Sequence, residues 1–109
     1  MRLMRTREYD RVFADRKSAS DALLVVYVSP NSLAFSRLGL VVGRKAGPAV
    51  ARNRIKRLLR EAFRTSRGDI RDGFDCVVVA RAAANEADFR QIKDSLVRLS
   101  REARSRWET

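Results

Sequence analysis

Apolar residues recur along this chain with two different periods. Tyr9, Val12 and Phe13 keep the spacing of a helix face. Thr6 suits an N-cap, so a short first helix is predicted from there to about Asp15. Residues 22–29 (ALLVVYVS) are rich in β-branched and aromatic side chains and predict a buried strand. Pro30, Asn31 and Ser32 are turn residues. Residues 34–43 (AFSRLGLVVG) predict a second strand, hairpin-paired with the first. Gly47 and Pro48 break the pattern, and proline fits the opening turn of a helix. A long helix follows from about Ala49 to Arg64, with Ala51, Ile55, Leu58, Leu59, Ala62 and Phe63 as one buried stripe. Gly68 ends it. Asp72-Gly73 signals a turn, and Phe74 to Ala80 (FDCVVVA) a third strand. Asn85 is a candidate cap for a last helix, with Asp88 three residues on. Phe89, Ile92, Leu96, Leu99 and Ala103 form its stripe.

The predicted order is α-β-β-α-β-α, with no internal repeat and no low-complexity linker. This is a single domain over residues 1–109, of α+β or α/β sandwich class, with helices packed on a small sheet. Strand order and crossover hand do not follow from periodicity.

Charge sharpens the picture. The chain has 24 Lys and Arg against 13 Asp and Glu, a net charge of +11. Residues 44–67 hold nine basic groups against Glu61 alone, which is +8 of that excess. Such concentration points to a docking surface for a polyanion, with nucleic acid as the default partner. On the long helix, Arg52, Asn53, Lys56, Arg57, Arg60 and Arg64 gather on a broad polar face, while Arg54 falls on the other flank near Glu61. Arginine offers a planar fork of donors matched to phosphate oxygens. By physics alone this helix could bind DNA, RNA or an anionic membrane. The membrane option is weakest, because the apolar stripe is needed for the core.

Candidate chemistry is sparse. There is no His, which excludes Ser-His and Cys-His nucleophiles and His-ligated metals. Cys76 is the only cysteine, which excludes an internal disulfide and a Cys-based zinc site. Alternating with Val77, Val78 and Val79, it reads as a small core residue. Asp69, Asp72 and Asp75 have regular spacing, but a nuclease site built on them lacks further ligands; Asp72 and Asp75 read as turn and strand-edge residues. Tyr9, Phe13 and Tyr27, near basic groups, fit either a stacking surface for unpaired bases or ordinary core packing. No apolar stretch approaches a membrane span, and no secretory signal follows Met1, so a cytoplasmic location is expected.

Residues 41–63 (VVGRKAGPAVARNRIKRLLREAF) closely resemble the bacterial ribonuclease P protein family. The family run G-x-A-V-x-R-N-R-x-K-R, preceded by two basic residues, appears as Arg44, Lys45, Gly47, Ala49, Val50, Arg52, Asn53, Arg54, Lys56 and Arg57. The likeness extends to Tyr9, Val12 and Phe13, to Tyr27, and to FDCVVVAR. Two departures stand out. Arg16 occupies a position where the family often has Gly, and Tyr9 one where Phe is common.

The resemblance implies an α/β sandwich with a left-handed β-α-β crossover around the arginine-rich helix. It implies an accessory subunit with no catalytic residues of its own. The Mg2+-dependent removal of the precursor tRNA 5′ leader would be performed by an RNA subunit. Mg2+ would be held mainly by that RNA and the substrate, and a 1:1 protein–RNA heterodimer is implied. Arg44, Lys45, Arg52, Asn53, Arg54, Arg57 and Arg60 would dock on ribonuclease P RNA. Tyr9, Phe13, Tyr27 and, at the margin, Lys56 would line a cleft for the leader. The competing reading is a ribosomal or other structural-RNA-binding protein.

Overall fold

A computed structural model describes residues 2–3, 6–66, 68, 70 and 72–107, with backbone alone at Arg2, Leu3 and Thr6. The elements are β1 (Arg2–Leu3), α1 (Thr6–Asp15), β2 (Ser18–Ser20), β3 (Leu24–Pro30), β4 (Arg37–Val41), α2 (Ala49–Thr65), β5 (Phe74–Ala80) and α3 (Phe89–Ser105). Short 3-10 turns, Arg44–Ala46 and Ala82–Glu86, precede α2 and α3. The mixed α+β class and the expected order of the main elements are observed. Two short edge strands, β1 and β2, are additional.

The sheet runs β1-β4-β5-β3-β2. β3 and β4 are therefore not a hairpin, which corrects the sequence expectation. β5 lies between them, antiparallel to β3 and parallel to β4. Its four-residue run Cys76–Val79 is apolar on both faces, as suits a central strand. The β3–β4 connection, with Ser32 in the left-handed region at φ 60°, leaves a gap that β5 fills.

Strand alternation separates two cores. On one face Val26, Val28, Leu38, Cys76 and Val78 meet Ile55, Leu59, Ala62 and Phe63 of α2 and Ile92, Leu96 and Leu99 of α3. The predicted stripes of both long helices are thus the observed ones. α2 packs over β4 and α3 over β2 and β3. On the other face Val12 of α1 and Val77 are fully buried, with Tyr9, Phe13, Tyr27 and Val79 around them.

Helix ends follow local chemistry. Pro48 is the N-cap residue of α2. Asp88, rather than Asn85, caps α3: its carboxylate accepts the Gln91 N–H at 2.8 Å, and the Gln91 side chain accepts the Asp88 N–H at 2.9 Å. Asn85 lies in the preceding 3-10 turn. A cap with a returning Gln satisfies two free N–H groups, which Asn85 cannot do from within that turn. Thr6 is already helical, and the residue before it, where a cap would sit, lies outside the described residues. The far end of α3 closes the sheet edge. The Trp107 indole N–H donates to Val28 O at 2.9 Å, and Arg106 Nε–H donates to Ser18 O.

Cys76 is buried, 3.9 Å from Ser100 Oγ. Burial pushes its thiol up to about 12. The native fold keeps the proton that an unfolded chain begins to lose near the ordinary value of 9.0. Stability should therefore hold below that value and fall as pH rises from there toward about 12. A thiol reagent at about pH 8 should label unfolded but not native protein. Rapid native labelling would contradict the burial.

Candidate nucleic-acid interface

α1 lies across the strands, over two register rows of the sheet. The first row is Ser29–Asp75–Arg37 and the second Tyr27–Val77–Gly39. The helix meets each with a different stripe. Glu8, Arg11 and Asp15 fall at i, i+3 and i+7 and carry polar groups. Tyr9, Val12 and Phe13 are the apolar set.

The polar row centres on Asp75, whose side chain is fully buried. Arg37 grips it with two bonds, Nε–H to Oδ1 at 2.7 Å and Nη2–H to Oδ2 at 2.6 Å. Asn31 donates to Oδ1 at 2.8 Å. Arg11 pairs with Oδ2, and its other terminal nitrogen donates to Ser29 Oγ at 2.9 Å and Pro30 O at 3.0 Å. Ser29 donates on to Asp15 at 2.6 Å, and Glu8 pairs with Arg37. The hydrogen bonds to Asp75 push the Arg37 guanidinium above its ordinary value. Asp75 is therefore no strand-edge residue, contrary to the sequence reading. An isolated buried carboxylate costs several kcal/mol, and two guanidinium partners with an amide offset that here. These bonds occupy its oxygens, which removes Asp75 from any set of metal-binding carboxylates. Asp69 lies outside the described residues, and among those described no three acidic or thiol groups are placed to hold a metal ion.

The apolar row brings the three sequence-predicted aromatics together. Phe13 and Tyr27 meet edge to face, with centroids 4.9 Å apart and planes at 82°. Tyr9 lies flat on β4. A Cβ on Gly39 would come within 2.6 Å of the Tyr9 ring, so only glycine admits the tyrosine there. The Leu40 N–H donates to the Tyr9 hydroxyl at 3.0 Å, beyond the reach of the two-residue β1. Tyrosine at this position thus gains a bond that phenylalanine lacks. A third row, Val25–Val79–Val41, lies beside α1. Its valines are half-buried or exposed and form the floor of an open groove next to the aromatic pair. The open valine row has no signature in the sequence, whereas a glycine inside a strand pattern signals close approach.

The basic groups sit around this arrangement. Arg44 and Lys45 are exposed in the 3-10 turn just past the end of β4. Asn53, Arg57 and Arg60 are exposed along α2, and Val50 stands among them 82% exposed. Arg52 is half-buried, with its Nε buried and lacking a hydrogen-bond partner. Arg64 pairs with Glu61, a bond that lowers the Glu61 pKa and raises that of Arg64. Arg54 does not approach Glu61 as expected. Its terminal nitrogens donate to Ala87 O at 3.0 Å and Asn85 O at 3.4 Å, tying α2 to the start of α3. Lys56, two residues later, lies about 200° around the helix from Arg54. It therefore faces away from α3, toward the β1–β4 edge. The sheet stands between α2 and the aromatic row, so Lys56 does not join the rings directly.

One half-exposed aromatic groove and one arginine-rich helix face, on opposite sides of a single sheet, suit a protein with two polyanion contacts. No helix is long and apolar enough to cross a membrane among the described residues. Comparison with known proteins places the fold in a known family. The family profile described as Ribonuclease P matches residues 1–104. The ribonuclease P protein component of Caldanaerobacter subterraneus is 42% identical over 98 residues, covering 90% of this chain and 84% of that protein. The one from Clostridium botulinum is 36% identical over 103 residues, covering 94% and 93%. The solved ribonuclease P protein of Thermotoga maritima superposes with a TM-score of 0.83 at 39% identity, covering 93% of this chain and 96% of that one. That of Staphylococcus aureus gives 0.81 at 33%, covering 92% of each. Sequence profile, relatives along nearly the full length and superposed folds agree, and the chain belongs to the ribonuclease P protein family.

Proposed function

We propose that this chain is the protein subunit of a ribonuclease P that removes the 5′ leader of precursor tRNA in the cytoplasm. The observation that carries the reading is the pairing of two surfaces on one small domain. The exposed polar face of α2, with Arg52, Asn53, Arg57 and Arg60, supports docking on a structured RNA, and Arg44 and Lys45 extend it. Arg52 is half-buried, and the accessible part of its guanidinium offers a fork of donors to a phosphate oxygen. Arg54 holds α2 in place through Asn85 and Ala87. Val50 offers an apolar contact within the same face.

The groove beside α1 supports binding of a single strand. Phe13 and Tyr27 offer ring faces and edges for stacking, and the valine row gives an apolar floor. Tyr9 is the wall, fixed by Gly39 and Leu40, and Lys56 stands at the outer margin. In this reading the partner RNA carries the chemistry and, with the substrate phosphates, holds Mg2+. The described acidic groups do not form a cage for it. One protein binds one RNA subunit, and the protein's part is to hold the leader and raise the affinity for precursor tRNA.

Purified protein should stimulate precursor cleavage by its cognate RNA subunit at low Mg2+. Absence of stimulation, with ribosomal RNA as the dominant crosslinked partner in cells, would replace this reading by the structural-RNA one. Phe13→Ala should weaken holoenzyme binding of precursor tRNA by about 1–3 kcal/mol and leave mature tRNA little changed. Equal losses for both would remove the leader role. Arg52→Ala should weaken assembly with the RNA subunit and reduce the salt slope of binding by about 1. An unchanged slope would count against a phosphate contact there.

A further inference from the structure

Arg16 follows α1 directly, and its backbone is left-handed, with φ at 56°. Its N–H donates to Phe13 O at 3.2 Å and closes the last turn of the helix. Glycine is relaxed at such a position, whereas a residue with a Cβ is strained. The neighbouring cation has a structural use. Lys17 sets its ammonium 5.6 Å from the centroid of the Trp107 ring, and its carbonyl accepts the Val28 N–H at 3.1 Å. Arg16 has none of this. Its side chain is exposed, and among the described residues its guanidinium has no hydrogen-bond or ion-pair partner. A strained residue that contributes nothing to packing points to a use outside the fold.

Its position suggests the use. Phe13 is one turn back along α1, and Ser18, two residues on, is the register partner of Tyr27. Arg16 therefore stands at the β2–β3 end of the groove, beside the edge-to-face ring pair. A base stacked on either ring carries its own phosphate to the rim of the groove, where a long cationic side chain can meet it. Arginine suits that task through its fork of donors. We infer that Arg16 contacts the backbone phosphate of single-stranded RNA lying against the Phe13–Tyr27 pair.

This inference rests on the leader reading above, and the test keeps the two apart. Holoenzymes reconstituted with native protein, Arg16→Gly, Arg16→Lys and Phe13→Ala are compared for binding of precursor and mature tRNA across a salt series. Arg16→Gly relieves the left-handed strain, so its melting temperature should equal or exceed that of the native protein by a few degrees. Its precursor affinity should nevertheless fall about three- to tenfold, with the salt slope reduced by about 1 and mature tRNA unchanged. Arg16→Lys should retain most of the slope. If Phe13→Ala selectively loses precursor tRNA while Arg16→Gly binds both RNAs as the native protein does, the inference is overturned and the leader reading stands. Equal loss of precursor and mature tRNA in Arg16→Gly also overturns it. If neither variant discriminates, both fall together.

Discussion

The buried carboxylate of Asp75 fixes one whole face of this molecule. It draws Arg37 from β4, Arg11 from α1 and Asn31 from the β3–β4 connection onto two oxygens. The arrangement is self-enforcing, because loss of the doubly bonded Arg37 leaves the carboxylate poorly compensated where water cannot reach it. Such breaks cost about 3–5 kcal/mol, a large share of a small domain's stability. The consequence is positional. α1 has only ten residues, and beyond Val12 it buries little apolar surface. The ion pairs of Glu8 and Arg11, with the bond from Ser29 to Asp15, lay it across β4, β5 and β3 in one register. Phe13 then meets Tyr27, Tyr9 lies over Gly39, and the valine row is left open.

The other face obeys different physics. There α2 and α3 are held by ordinary apolar burial, tightened by the Arg54 bonds to two carbonyls at the start of α3. Because one stripe of α2 satisfies the core, the opposite side is free to carry arginines without disturbing the fold. The sheet thus separates a charged outer face from an aromatic groove, and each can change with little effect on the other. The ribonuclease P proteins of Thermotoga maritima and Staphylococcus aureus share this fold over nearly their whole length.

Much of this was legible from sequence, and the limits are instructive. The helices over 6–15 and 49–65 and the strand over 74–80 follow from strong local periodicity. The aromatic set and the arginine face follow from helical spacing and charge, and the roles given to them follow from family resemblance. Pairing was not legible. A run such as 34–43 carries no mark of whether its neighbour is β3 or β5, and proximity in sequence favoured the wrong one. Strands of two and three residues, like β1 and β2, are too short to show alternation. Asp75 lies beside Asp72-Gly73 and so looks like turn chemistry, while its partners Arg11 and Arg37 are 64 and 38 residues away. The partners of Arg54 are hidden in the sequence for a related reason. Helical geometry gives its direction from the axis but not the carbonyls waiting there.

The central claim is that the Asp75 cluster holds α1, and with it the groove, in place. Native-state hydrogen exchange on Arg11→Met tests this most directly, since Arg37 and Asn31 still satisfy Asp75 in that variant. The account predicts a selective loss of protection at the α1 amides, with α3 and β5 unchanged. Unaltered protection in α1, or an equal loss throughout the domain, would contradict it.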